Sequence, residues 1–146
     1  MLAACSTQSQ SETRAAEAAS PSGLETMPLT IRSGTRSHRF SVEVARSADE
    51  QARGLMFRES LGPDQGMIFP LDPPREASFW MKDTLIPLDM IFIRADGTIA
   101  RIAANTTPHS LAPVSSGEPV AAVLEIRGGR AAELGIREGD RVEWAG

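Results

Sequence analysis

The chain has 146 residues, enough for one domain with a real core. Its net charge of −4 gives no long-range attraction for nucleic acid or anionic membrane. One cysteine and two histidines exclude a disulfide framework and a Cys-rich zinc site, and 5% aromatics with no tyrosine argue against a platform for stacking bases or sugars.

The chain starts Met1-Leu2-Ala3-Ala4-Cys5-Ser6. Leu-Ala-Ala-Cys resembles the lipobox of bacterial lipoproteins, in which the Cys5 thiol would be lipidated after cleavage. No basic stretch or apolar h-region precedes it, which reads as a late start or a chain trimmed to its mature end. As literally written, the chain would stay cytoplasmic. Residues 6–27 are rich in Ser, Thr, Gln, Ala and Glu and cannot offset their ordering entropy by burial. Residues 1–27 therefore read as a lipobox remnant and a disordered tether, and 28–146 as a single globular domain. The expected location is the periplasmic side of the cell envelope, lipid-anchored or secreted, as a monomer that meets membrane only through Cys5.

The body opens with a short alternation at Leu29-Thr30-Ile31, an edge strand, and a turn at Ser33-Gly34-Thr35. Phe40, Val42 and Val44 alternate with polar residues, predicting a half-buried strand. Ser47 and Glu50 form a capping box for a short helix that ends at Gly54. After the loop 61–66, Met67-Ile68-Phe69-Pro70 reads as a buried strand, Asp72-Pro73-Pro74-Arg75 as a turn and 77–81 as another strand. Asp96-Gly97 between Leu88–Ile93 and Thr98–Ile102 is the strongest hairpin signal. Val120–Ile126 predicts a further strand, Arg130–Leu134 a second short helix closed by Gly135, and Arg141–Trp144 a last strand. The expected fold is α+β but β-rich: a small, mostly antiparallel, barrel-like sheet of about seven strands with two short helices.

These residues carry a family resemblance. Arg53-Gly54-Leu55-Met56-Phe57-Arg58, Gly66-Met67-Ile68-Phe69, the run from Ser78 through Phe92, and Val123–Ile126 with Gly128-Gly129 and Gly135–Val142 resemble the domain of unknown function 192 family. The likeness runs from about Phe40 to Val142 and departs slightly at Asp83, where Asn is common in the family. It implies a single barrel-like α+β domain, often behind a signal sequence or lipobox, and it implies no activity.

Candidate chemistry lies in the polar residues inside apolar runs. Alternation sets Asp89 on one face with Ile91 and Ile93, and Glu125 on one face with Val123, so both carboxylates share apolar company. Either Asp83, Asp89 and Glu125 converge as acid, base or hard-cation ligands, or Asp89 and Glu125 brace the fold by accepting backbone N–H bonds or pairing with Arg53. A cleft near Trp80–Thr84 would take its binding residues from Arg53, Trp80, Lys82, Asp83, Thr84 and Asp89. Trp80 either lines this groove or packs in the core, the simpler reading. Met56, Met67, Met81 and Met90 suggest a Cu(I) site of thioethers, but methionine also fills cores and no His or Cys stands nearby. His38 and His109 sit in polar segments and read as solvated.

No nucleophile–base pair, phosphate loop or metal motif is present. The sequence therefore points to a non-catalytic binding or accessory domain without cofactor or resident metal. A small hydrolase or transferase using Asp83, Asp89 and Glu125 stands as the alternative, and Cu(I) binding as the second.

Overall fold

The computed structural model describes residues 22–145. Cys5 and most of the tether lie outside them. The strands are β1 (Thr26–Ser33), β2 (Arg36–Val44), β3 (Gln65–Phe79), β4 (Leu88–Ile93), β5 (Ile99–Thr106), β6 (Val114–Arg127) and β7 (Arg141–Trp144). The helices are α1 (Ala48–Arg53) and α2 (Arg130–Leu134). β1 starts two residues before Pro28, and Leu24 already packs on the core.

The strands form one sheet in the order β5-β4-β6-β3-β2-β1-β7. All pairs are antiparallel except β2 with β3, which the crossover through α1 makes parallel. The sheet is thus mixed and curls into a half-barrel. Its two edges approach at the bridge between Thr98 and Arg141, where Ile99 N–H donates to Asp140 O at 2.8 Å and Val142 N–H to Gly97 O at 2.8 Å.

The centre of the sheet is buried on both faces. Ile68, Ile91, Ile93, Leu124 and Ile126 pack inside the curl, while Met67, Phe69, Met90, Phe92 and Val123 pack on its outer side. Every residue of β4 is consequently buried. The outer core is closed by α1 and the segments that follow it and β3, which supply Leu55, Leu61 and Met81.

Several expectations change. β1 is not an edge strand, because β2 and β7 flank it. The two strands expected at 67–70 and 77–81 are one long strand, β3; the expected turn at 72–75 is an irregularity in its pairing with β6, and Asp72–Pro73 is cis. A proline run need not end a strand that can bulge away from its partner. Trp80 is half-exposed rather than core. His38 lies in β2, and its Nε2 is buried without a hydrogen-bond partner.

Candidate functional site

A cleft of about 340 Å³ opens over the outer core. The capping box fixes one wall: Ser47 Oγ accepts from Glu50 N–H at 3.1 Å, and Glu50 Oε1 accepts from Ser47 N–H at 2.9 Å. Gln51 ties that helix to the sheet by donating to Ala45 O at 3.0 Å and Pro70 O at 2.7 Å. Gly54 then turns the chain with φ of 48°, and a Cβ there would stand 3.3 Å from the Phe69 ring. The opposite wall is β3 and its exit, with Phe69 and Phe79 in an edge-to-face pair at 5.0 Å.

Glu125 is the polar group of the floor. Register explains its placement. Met67 of β3 and Met90 of β4 are its cross-strand partners, so its side chain shares their outer face. It is 4% exposed. Among the described residues its carboxyl has neither a hydrogen-bond donor nor a counter-ion, and burial alone pushes it up to about 8. At neutral pH the carboxyl is therefore mostly protonated.

Asp89 stands on the other face of the sheet. Its Oδ1 accepts from Asn105 N–H at 2.8 Å and Gly129 N–H at 3.0 Å, and its Oδ2 from Ala131 N–H at 2.9 Å. It supplies the cap of α2 that Gly129, lacking a side chain, cannot give. Asp89 is thus the backbone brace, while Glu125 is not, and Arg53 pairs with neither.

Asp83 sits in the turn after Trp80 with φ of 53°, a left-handed conformation that Asn and Asp tolerate best. This suits Asp at the position. Its carbonyl accepts from Phe57 N–H at 2.8 Å, so its backbone ties the two segments that cover the outer core. The three carboxylates expected to converge therefore do not meet: Asp89 and Glu125 are separated by the sheet, and Asp83 does not line the cleft.

The remaining residues divide. Arg53, Trp80 and Thr84 line the cleft, whereas Lys82 lies outside it, its Nζ 5.3 Å from the Trp80 ring. Thr84 Oγ1 donates to Lys82 O at 3.1 Å. Arg75, exposed on β3, also lines the cleft and was not singled out from sequence, since it falls in the segment that reads as a turn. Of the methionines, Met67, Met81 and Met90 are buried in the outer core, Met81 Sδ accepts from Thr106 Oγ1 at 3.2 Å, and Met56 lines the cleft. Among the described residues no group of three or more His, Cys, Asp or Glu is placed to hold a metal ion.

No curated protein matches the chain. A protein of unknown function from Novosphingobium aromaticivorans DSM 12444 is similar in structure, with a TM-score of 0.83 and 50% identity over 89% of this chain and 96% of that one. A Sinorhizobium meliloti 1021 protein, provisionally called a transcription regulator, matches with a TM-score of 0.81 and 41% identity over 83% of this chain and 95% of that one. The DUF192 family model, described as Uncharacterized ACR, matches residues 29–144, and the chain belongs to that family.

Proposed function

We propose that the domain is a non-catalytic binding module whose ligand enters the cleft over Glu125. One observation carries this reading: a carboxyl that is 4% exposed, without a partner among the described residues, borders a cavity of about 340 Å³. Holding a carboxyl largely out of water with no donor or counter-ion from the described residues costs free energy in its charged form. A fold that only needed stability would place an apolar residue between Met67 and Met90. A ligand that satisfies Glu125 recovers the cost on binding. The lining mixes apolar side chains with polar ones, Gln51, Arg53, Arg75, Ser78, Thr84 and Glu125, which offers a small molecule both packing and hydrogen bonds.

A hydrolase or transferase is less well supported, because it would need a second acid or base near Glu125 and Asp89 is turned away. The module works without nucleic acid, in keeping with the charge of −4. We place it in the cell envelope, tethered through Cys5; labelling with a fatty acid that is lost in Cys5→Ser tests that placement.

The binding reading is tested by a fragment screen on isotope-labelled protein. Ligands should shift the amides of Gly54, Trp80 and Glu125, and Ala52→Trp, which fills the cleft from the exposed side of α1, should abolish those shifts. Hits that map elsewhere, or that survive the filled cleft, would defeat it.

A further inference from the structure

The ionisable groups of the cleft differ in sign and in burial. Glu125 is at the floor. Arg53 on α1 and Arg75 on β3 are exposed at the mouth, and neither is in an ion pair among the described residues. Between them lie the apolar sides of Phe69, Leu71, Phe79 and Trp80. Some arginines elsewhere in the domain are paired, Arg58 to Glu43, Arg94 to Glu118, and Arg130 to Asp64 and Glu133, so what sets Arg53 and Arg75 apart is their place on the cleft.

Resting on the binding reading above, we propose that the cleft selects a small amphoteric molecule with an amine at one end, an anionic group at the other and an apolar body between, the amine seated at Glu125 and the anion toward Arg53 and Arg75. A volume of about 340 Å³ is near the lower end for ligand sites, so the occupant is one small molecule. An ammonium at the floor supplies both a hydrogen bond and a counter-charge, whereas a hydroxyl supplies the first only. An anion at the floor would meet a carboxyl with no cation beside it.

Proton balance gives the proposal a signature. Burial pushes the Glu125 carboxyl up to about 8, so before a ligand enters it is neutral at neutral pH. An incoming ammonium favours the carboxylate, so the Glu125 proton leaves to solvent while the ligand keeps its own. The groups facing Glu125 do not confuse this exchange. Its neighbours on β3 and β4 are Met67 and Met90. Arg53 and Arg75 are the cationic side chains that line the same cleft. Glu43 of β2 is tied to Arg58, with contacts of 2.5 and 2.9 Å.

The test is calorimetry on the full chain with three probes: para-aminomethylbenzoate, para-methylbenzoate and benzylamine. The first should bind tightest, tighten from about pH 6 to about pH 8, and release a proton, read from buffers of different ionisation enthalpy. Glu125→Gln should weaken it by roughly ten- to hundredfold, the range of one charge-assisted hydrogen bond, and abolish both proton release and pH dependence. Arg53→Ala with Arg75→Ala, both at exposed positions, should weaken the two benzoates and spare benzylamine. Equal binding of para-methylbenzoate and para-aminomethylbenzoate, or binding without proton release, overturns the amine assignment while leaving the cleft a binding site. Silence from all three probes also overturns it, and the binding reading then rests on the wider fragment screen.

Discussion

At the scale of single residues, two acids one register step apart have opposite fates. Asp89 spends its oxygens on three backbone donors. Asp89→Ala leaves those donors unpaired and should cost on the order of 3 kcal/mol or more, measured by urea unfolding. Asp89→Asn keeps an acceptor for Asn105 and Gly129 but sets an amide against Ala131 N–H, so its loss should be smaller. Glu125 has no such partners, and its linkage has the opposite sign from an ordinary salt-bridged carboxylate. Its folded value near 8 lies above the ordinary 4.5, so the folded state holds the extra proton between those values. Its contribution is fully present below about 4.5 and is lost as pH rises through 8, with a slope of up to about 1.4 kcal/mol per pH unit. Denaturant midpoints followed over that window should fall more steeply in the wild type than in Glu125→Gln; parallel curves would remove the assigned shift.

At the scale of elements, sequence periodicity was legible where one face decided burial. Phe40, Val42 and Val44 are buried in β2, and the capping box opens α1. Periodicity was less informative where both faces are covered, as in β4, or where a bulge interrupts a strand, as at 71–74 of β3. Close approach of strands was equally invisible. Gly66 lies between Val42 and Ile126, and a Cβ there would stand 2.6 Å from Glu125 O and 3.1 Å from Ile126 Cγ2. Alanine in place of a strand glycine ordinarily helps slightly, but Gly66→Ala should lose about 1–3 kcal/mol by forcing β3 off β6, read as a lower Tm.

At the scale of the whole molecule, the half-barrel needs its outer face closed, and a buried ion pair helps to close it. Arg58, in the segment after α1, grips Glu43 of β2 with its two terminal guanidinium nitrogens, and Ser22 Oγ donates to the same carboxylate at 2.5 Å. Arg58→Ala would strand Glu43, which is 7% exposed, and should cost about 3–5 kcal/mol. Glu43→Leu with Arg58→Met should cost much less, because no charge is left behind. A double-mutant cycle by chemical denaturation measures the difference; similar losses for both would show that packing rather than charge dominates.

Alternation and turn chemistry by themselves indicated most of the strands, both short helices, the barrel-like class and the presence of two carboxylates in apolar company, but not the continuity of β3. Those signals are local, set by residues a few positions apart. The order of blocks from Arg53 to Val142 was enough to indicate the family. Only the tertiary structure decided which carboxylate is satisfied, because that depends on which neighbour each strand meets. β6 puts Glu125 between Met67 and Met90 on the outer face, while β4 puts Asp89 on the inner face beside the start of α2. Strand register, a relation between residues far apart in the chain, separated the brace from the candidate site.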